Sequence, residues 1–317
     1  MRILVVRNDK LGDFITALPA MYVLKQHNSQ NKIVAFVAPL NKTLARSCDF
    51  IDEVIVDEGE SVFALAKKLR EAKIDASITL FSNTRVAFAQ FLAGIPKRIA
   101  PATKIAQIFY TQRITQRRSE VKMAEFEYNL ELTKALFSDI HLGYKKPLLA
   151  FEDAKNVYDN FCKEYRIEKE IIAFHVGFGG SSDANWNLDE YTILIREVCR
   201  YGKYQVVLTF GPDEKGLCEE MRQRLQGEDV IFYLSLEGIV YFAKLIANFK
   251  LFVSTSTGTY HLASLVGCPT MTFFADTLFA SAARWRGVGD EKLQEHFMIP
   301  QDAVKRSELF ERIREKI

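Results

Sequence analysis

The sequence predicts an α/β protein with two parallel β-sheets, one in each half of the chain. Short runs of β-branched and aliphatic residues alternate with helical patterns, and the stretch at 138–153, "SDIHLGYKKPLLAFED", interrupts the alternation. Alternation of this kind forms parallel sheets with right-handed crossovers. A chain of 317 residues is long enough for two domains. We expect an N-terminal domain at 1–148, a C-terminal domain at 149–317, and a cleft between them.

In the first half, four strands are predicted, at Ile3–Val6, Ile33–Val37, Glu53–Val56 and Ala76–Leu80. Helices are predicted at about 13–27, 41–48, 61–72, 84–93 and 122–137, where apolar residues recur at helical spacing. The stretch at 138–153 contains Gly143 and Pro147 and is predicted to be the linker.

In the second half, strands are predicted at Ile171–Val176, Tyr204–Thr209, Leu251–Val253 and Met271–Phe274. Helices are predicted at about 188–201, 213–226, 236–249 and 258–266. A last helix, at about 301–316, has no sheet of its own to join and could pack back on the N-terminal domain. Ligands of open α/β sheets bind at the carboxyl ends of the strands, so the loops after the strands are the candidate sites.

The composition, 48% hydrophobic and 26% charged, is typical of a soluble globular protein. The five cysteines are scattered without a Cys-x-x-Cys pair, which argues against a disulfide framework and a zinc site. The chain enters a strand at once, and no apolar run approaches the roughly 20 residues that cross a bilayer. We therefore expect no signal peptide and a cytoplasmic location.

The formal net charge of +2 hides a local excess of positive charge. Between residues 97 and 122, Glu120 is the only acid, and the basic residues are Lys97, Arg98, Lys104, Arg113, Arg117, Arg118 and Lys122. Two interpretations remain open. The window is either a solvated helix face and loop, or a surface for an anionic partner that Arg side chains would bind through their forked N–H groups.

The first candidate loop lies in "VRNDKLGDFITALPA", residues 6–20, where Asp13 stands at the start of a predicted helix. An acid there is favoured by the helix dipole and by unpaired backbone N–H groups. Asp13 is therefore either a helix cap or a base aimed at a ligand above the sheet.

The second candidate loop is "HVGFGGSSDANW", after the strand ending at Val176. Gly177, Gly179 and Gly180 would let the backbone approach a ligand closely, and Ser181 adds a hydroxyl donor. A plain glycine-rich turn explains the same residues equally well.

Two further loops carry polar residues at helix starts. In "LTFGPDEKG", Asp213 or Glu214 begins a helix, which is usually a capping role. In "VSTSTGTYHLASLVGCP", a strand is followed by Ser256, Thr257, Gly258 and Thr259. Unpaired N–H groups at the start of a helix, together with hydroxyl groups and a glycine, favour the binding of a diphosphate. His261, on the helix that follows, is either a packed histidine or part of that site.

Several common motifs are absent. No Gly-x-Gly-x-x-Gly follows the first strand and no Walker loop occurs, which argues against a dehydrogenase and a P-loop NTPase. No serine nucleophile elbow is present. No Asp-x-Asp occurs, so a metal–diphosphate site of the usual glycosyltransferase kind is not indicated.

The motifs together resemble one family. "LGDFITALPA" is similar to the Leu-Gly-Asp…Leu-Pro signature of glycosyltransferase family 9, the bacterial ADP-heptose:lipopolysaccharide heptosyltransferases. Four more stretches resemble segments of that family in the family's order: "GIPKRIA", "NWNLDEYTILI", "GPDE" and "STGTYHLASLVGCPTMTFF". The likeness extends from residue 2 to about residue 275.

This resemblance implies a GT-B fold, in which two Rossmann-like domains have parallel sheets facing a central cleft and the C-terminal domain holds the nucleotide. It implies inverting transfer of a heptose from ADP-heptose to the lipopolysaccharide or lipooligosaccharide inner core, without a metal or other cofactor. The partners would be this donor, an anionic lipid-linked saccharide acceptor and the cytoplasmic face of the inner membrane, with no nucleic acid.

The resemblance also implies roles for single residues. Asp13 would be the general base. Donor-binding residues would be Gly179, Gly180, Ser181, Trp186, Glu214, Ser256, Thr257, Gly258, Thr259 and His261. Acceptor-binding residues would be Lys10, Lys97, Arg98, Arg117, Arg118 and Lys122.

Two positions depart from the family pattern. Ala184 stands where the family carries a lysine, and Ser256 stands where it carries an aspartate. Lys10, Arg284 or Arg286 could supply the missing positive charge. Two alternatives therefore stay open: the same fold with another nucleotide sugar or acceptor, and an inert paralogue that binds a nucleotide sugar.

Overall fold

Two units, Met1–Lys145 and Lys146–Ile317, make up the computed structural model of the chain. It describes residues 1–103, 105–177 and 186–316. Within those residues each unit contains one six-stranded sheet whose strands all pair in parallel. The predicted α/β class with two parallel sheets is confirmed.

The first sheet has the strand order β3-β2-β1-β4-β5-β6. Its strands are β1 (Arg2–Arg7), β2 (Lys32–Val37), β3 (Glu53–Val56), β4 (Ala76–Thr79), β5 (Lys97–Pro101) and β6 (Gln112–Ile114). The helices are α1 (Leu11–His27), α2 (Lys42–Arg46), α3 (Val62–Glu71), α4 (Thr84–Leu92) and α5 (Glu125–Thr133). The central strands are buried along nearly their whole length, as their apolar runs predict.

Of the two interpretations of the basic window, the solvated helix face with a loop was wrong, while the surface for an anionic partner stays a prediction. The window forms β5, a 3₁₀ turn at Ile105–Phe109 and β6, and not a helix face with a loop. β5 opens with two basic residues and β6 is a short edge strand with exposed residues, so neither shows the apolar run by which buried parallel strands are recognised.

The second sheet has the strand order β12-β11-β10-β7-β8-β9. Its strands are β7 (Ile171–His175), β8 (Gln205–Phe210), β9 (Val230–Leu234), β10 (Leu251–Thr255), β11 (Thr270–Ala275) and β12 (Gln294–Ile299). The helices are α6 (Ala154–Tyr165), α7 (Leu188–Tyr201), α8 (Lys215–Arg224), α9 (Ile239–Ile246), α10 (Gly258–Leu265), α11 (Ala282–Trp285) and α12 (Ala303–Arg314). Two strands, β9 and β12, and two helices, α6 and α11, were not predicted from the sequence.

The last helix, α12, packs on the second unit. Ile313 is fully buried in that unit's core, with Leu309 and Phe310 packed against the same core. Arg306 on α12 donates to Glu190 on α7 at 2.6 Å. The expectation that this helix has no sheet to join was wrong, because β12 extends the second sheet and contributes core residues beside it. No helix among the described residues is long and apolar enough to cross a bilayer.

Each sheet has one point where the strand order reverses. β1 neighbours both β2 and β4 in the first sheet, and β7 neighbours both β8 and β10 in the second. Ligands of open α/β sheets bind outside the carboxyl ends of the strands at such switch points. The predicted loops after β1, β7 and β10 all begin there.

Candidate functional site

A buried arginine ends β1 at the switch point of the first sheet. Arg7 is 2% exposed, and charged side chains are almost never so buried unless they are paired. Its Nε lies 3.0 Å from Asp9 Oδ1, its Nη1 lies 3.4 Å from Glu125 Oε1, and its Nη2 donates to Asp13 Oδ1. Burial acts against the charge, but the three carboxylates outweigh it and raise the pKa of Arg7 above its ordinary value.

Asp13 lies in the first turn of α1, which begins at Leu11 with Lys10 as the N-cap residue. No side-chain capping bond is made there, and the Asp13 carboxylate binds Arg7 instead. The capping alternative is therefore not what the structure shows, although the helix dipole still favours an acid in this turn. The Asp13 side chain keeps 23% of its surface exposed. Its carboxylate is thus held in place and still open to a ligand.

The back of this cluster is closed by α5. Glu125 is 4% exposed and also accepts a bond from Arg118. Arg118 Nη2 donates to Asn129 Oδ1 at 3.2 Å, and the Asn129 amide donates to the backbone oxygen of Thr16 at 3.1 Å. These bonds join α1 to α5 behind the Arg7 guanidinium.

Asp9 is the second partly open carboxylate on Arg7, with 22% of its side chain exposed. Burial raises the pKa of Asp9 to about 6; Arg7 opposes this rise and the Asp13 carboxylate adds to it. The sequence analysis singled out neither Arg7 nor Asp9 nor Glu125. A charged residue at the end of an otherwise apolar strand is the signal that could have found Arg7.

Two of the basic residues predicted to bind the acceptor lie far along the sheet from Asp13. Lys97 and Arg98 open β5, at the amino edge of a parallel sheet whose carboxyl edge holds Arg7. Arg98 donates to the backbone oxygens of Ile95 and Phe109, which is a structural role.

The other basic residues predicted to bind the acceptor differ in their exposure and in their contacts. Arg117 and Lys122 are exposed and pair with Glu120 at 3.2 and 2.7 Å. Arg118 is the member of the set that reaches the Arg7 cluster, through Glu125. Lys10 is exposed at the start of α1.

In the second unit, the Glu214 carboxylate lies over the carboxyl end of β7. Its Oε2 accepts a bond from the Gly211 backbone N–H at 2.6 Å and lies 3.8 Å from His175 Nε2. A Cβ on Gly177 would lie 1.8 Å from Glu214 Oε1. Gly177 was predicted to admit a ligand, but in the structure it makes room for this carboxylate.

His175 lies beside Glu214 at the end of β7. It is 6% exposed, and its Nδ1 lies 3.1 Å from Thr209 Oγ1. Burial lowers the pKa of His175 below its ordinary value, although the Glu214 carboxylate acts in the opposite direction. His175 is therefore neutral at pH 7 and acts as a hydrogen-bonding partner.

The start of α10, after β10, combines hydroxyl groups with free backbone donors. Thr257 precedes the helix, is 8% exposed, and its Oγ1 lies 2.8 Å from Thr259 Oγ1. It makes no side-chain capping bond, and the first N–H groups of a helix have no partner within it. With Gly258 as the first helical residue and Ser256 half-buried beside it, this end of α10 can accept an anion.

His261 lies one turn into α10 and is 3% exposed. Its Nδ1 has no hydrogen-bond partner among the described residues. Burial, with a smaller effect from His296, lowers the pKa of His261 to about 4. It is therefore a neutral imidazole with unused hydrogen-bonding capacity.

Trp186 belongs to the core of the second unit. It is 1% exposed, stacks on Phe273 with ring centroids 3.9 Å apart, and meets Tyr191 edge-on. We therefore leave Trp186 out of the proposed donor site. Outside the described residues lie Gly179, Gly180, Ser181 and the departure at Ala184.

Arg284, one candidate for the missing positive charge, is 8% exposed and lies against the rings of Phe279 and Trp285. Arg286 pairs with Glu291 at 3.3 Å. Within residues 1–103, 105–177 and 186–316, no three His, Cys, Asp or Glu side chains form a group that could hold a metal ion.

Comparisons with known proteins show the family and the fold that this chain shares. The sequence model described as "Glycosyltransferase family 9 (heptosyltransferase)" matches residues 62–301. A Haemophilus influenzae protein named "Putative glycosyltransferase" is 35% identical over 97% of this chain and 91% of its own length. "Lipooligosaccharide heptosyltransferase 2" of Campylobacter jejuni is 22% identical over 87% of this chain and 82% of its own.

The fold matches solved structures over the whole chain. The Escherichia coli "ADP-heptose lps heptosyltransferase II" superimposes with a TM-score of 0.81 at 19% identity, covering 99% of this chain and 98% of that one. The predicted fold class is therefore shared with heptosyltransferase structures.

The close approach of Glu214 to Gly177 predicts that a side chain at position 177 lowers the stability of the protein. Gly177→Ala should lower the free energy of unfolding by about 0.5–1.5 kcal/mol, because the added methyl group pushes the Glu214 carboxylate away from its hydrogen bond with the Gly211 N–H. Gly216→Ala is the matched control: nothing lies within 4 Å of its would-be Cβ inside α8, and alanine should stabilise that helix by roughly 0.5–1 kcal/mol. Urea unfolding measures both. Equal stabilisation by the two substitutions would contradict the packing described here.

Proposed function

The chain belongs to glycosyltransferase family 9, and we propose that it transfers a heptose from ADP-heptose to the inner core of lipopolysaccharide or lipooligosaccharide. The proposal includes inversion at the anomeric carbon and no metal ion. Its donor and acceptor are supported by the names of the Campylobacter and Escherichia relatives. The observation that carries it is the partly exposed Asp13 carboxylate, held by buried Arg7 at a switch point. The nucleotide sugar is a substrate, and no cofactor is proposed.

In the proposed step, the acceptor hydroxyl gives its proton to Asp13 and its oxygen forms a bond to the anomeric carbon. The bond from that carbon to the diphosphate breaks, and its electron pair leaves with ADP. A single direct displacement inverts the anomeric configuration. Arg7 orients the carboxylate, and general-base assistance of this kind contributes roughly 10²–10⁴-fold in rate.

The donor is assigned to the second unit. Glu214, bound by the Gly211 N–H, would accept bonds from the ribose hydroxyls. The start of α10 would hold the diphosphate with its N–H groups and the hydroxyls of Ser256, Thr257 and Thr259, because such groups stabilise the charge that grows on the leaving group. Gly258 and His261 belong to the same proposal, as do three residues outside the described chain: Gly179, Gly180 and Ser181.

The acceptor is proposed to be anionic and lipid-linked. Lys10, Arg117 and Lys122 are the exposed basic residues that remain available for its acidic groups. Arg118 is engaged with Glu125 and is assigned to positioning.

Lys97 belongs to a different surface of the first unit, which we propose contacts the cytoplasmic face of the inner membrane. Ile105 and Ile108 are 75% and 63% exposed. They are three residues apart in a 3₁₀ turn, so their side chains lie on the same face. Phe91 is 49% exposed beside them, with its ring 5.9 Å from Phe109. We propose that Phe91, Lys97, Ile105, Ile108 and Arg113 share one face, and we call them the isoleucine surface.

The charge of the isoleucine surface favours an anionic membrane. Residues 76–119 contain no aspartate or glutamate. Lys97 and Arg113 are exposed, and neither forms an ion pair among the described residues. Each basic residue near an anionic leaflet contributes about 1 kcal/mol, and burying each isoleucine about 1.5–3 kcal/mol.

The general-base role predicts a specific split between turnover and binding. Asp13→Asn should lower kcat by roughly 10²–10⁴-fold and leave the dissociation constant of ADP unchanged, because the nucleotide is assigned to the other unit. Transfer assays and calorimetric titration measure the two quantities. Asp49→Asn, whose side chain is 78% exposed in the same unit, is the control and should keep wild-type turnover. Wild-type turnover by Asp13→Asn would refute the proposed base.

The membrane proposal predicts a loss specific to the isoleucine surface. Ile105→Ser with Ile108→Ser should weaken binding to vesicles of anionic phospholipid at least about tenfold, measured by flotation. Phe63→Ser removes a 74% exposed side chain elsewhere in the same unit and should change nothing. Equal binding of the wild-type protein to zwitterionic vesicles would contradict the proposal, and so would an equal loss in Phe63→Ser.

A further inference from the structure

Asp9 and Asp13 share one edge of the Arg7 guanidinium. Asp9 binds Nε and Asp13 binds Nη2, the two neighbouring nitrogens that a single carboxylate usually engages as a pair. Both side chains are partly exposed, 22% for Asp9 and 23% for Asp13. Glu125, on the remaining nitrogen, is 4% exposed. The two carboxylates on the shared edge are therefore the ones that a substrate or solvent can reach.

Asp9 and Asp13 bind neighbouring nitrogens of one guanidinium, and the negative charge of Asp13 contributes to the raised pKa of Asp9. A proton is therefore held more tightly by Asp9 than by an isolated aspartate. When the surroundings of two paired carboxylates give them different proton affinities, one member can act as the acid and the other as the base. Arg7 holds this pair together, so the geometry suits a proton that arrives at one carboxylate and leaves from the other.

We propose that Asp9 is the proton-accepting partner of Asp13: it takes over the proton that Asp13 removes from the acceptor hydroxyl and releases it to water. This rests on the proposed function. The O–H bond of the acceptor breaks and an O–H bond forms on Asp13. That proton then moves to an Asp9 oxygen and from there to solvent, which leaves both groups as carboxylates for the next turnover. No further reactant is consumed.

The charged groups around Asp9 agree with this role. Arg7 faces it from β1 and Asp13 from α1, while Glu125 on α5 lies behind Arg7. Lys10 is next along the chain. The pKa of Asp9 near 6 means that it holds a proton at pH 5 and releases it at pH 7. Below that pH, Asp9 is already protonated and cannot take the proton from Asp13.

The test is the pH dependence of kcat in the wild-type protein, in Asp9→Asn and in Asp139→Asn, whose carboxylate is 83% exposed. The wild-type kcat and that of Asp139→Asn should fall as pH drops through about 6. In Asp9→Asn the fall near pH 6 should disappear, and kcat at pH 7.5 should be at least about tenfold lower. A merely structural role would lower kcat at every pH and keep the fall near pH 6.

A second readout does not depend on activity. Because the pKa of Asp9 is raised on folding, its contribution to stability is present at low pH and is lost as pH rises from about 4 to about 6. The urea midpoint of the wild-type protein should therefore fall relative to that of Asp9→Asn over this range.

Two results would refute the role proposed for Asp9 and leave the proposed function standing. One is a wild-type pH profile of kcat in Asp9→Asn, and the other is a difference in urea midpoint that is independent of pH. A wild-type protein that transfers no sugar would overturn this inference and the proposed function together.

Discussion

A single guanidinium without access to water organises the first unit's site. Arg7 ends a buried strand, and its charge is tolerable there only because three carboxylates surround it. Removing Arg7 would leave Asp9, Asp13 and Glu125 without their shared cation, and breaking a buried ion pair in this way costs about 3–5 kcal/mol. This constraint fixes α1 and α5 relative to β1, since Asp13 and Glu125 belong to those helices. The open carboxylates and the stability of the unit thus depend on the same contacts.

The second unit positions the Glu214 carboxylate without a positively charged partner. Glu214 accepts a hydrogen bond from one backbone N–H and occupies the space left by the absence of a side chain at Gly177, with the neutral His175 3.8 Å away. None of these partners is positively charged. A carboxylate fixed without a cation keeps its hydrogen-bonding capacity for hydroxyl groups, which suits a sugar ring better than an ion pair would. The start of α10 presents the opposite character, donor groups for an anion. Under the proposed function, Glu214 would bind the sugar and the start of α10 the phosphates of the nucleotide.

Local patterns predicted the central parts of this fold, and non-local contacts account for what they missed. The strand at Glu53–Val56 and the helix at Leu188–Tyr201 were predicted within their observed limits because periodicity is a local property. Arg7 was missed because one partner, Glu125, lies 118 residues away. Trp186 was predicted from a motif to bind the donor, but in the structure its ring stacks on Phe273 in the core of the second unit. The strand β12 was missed because its first three residues, Gln294–His296, are polar and leave an apolar run too short to indicate a strand.

The most direct test of the account is the stereochemistry of transfer. The purified protein would be incubated with ADP-heptose and a core oligosaccharide that lacks the heptose, and the product linkage would be assigned by NMR. One base and one displacement predict release of ADP and a glycosidic bond of the anomeric configuration opposite to that of the donor. A product that retains the donor's configuration, or no release of ADP, would contradict direct displacement assisted by Asp13.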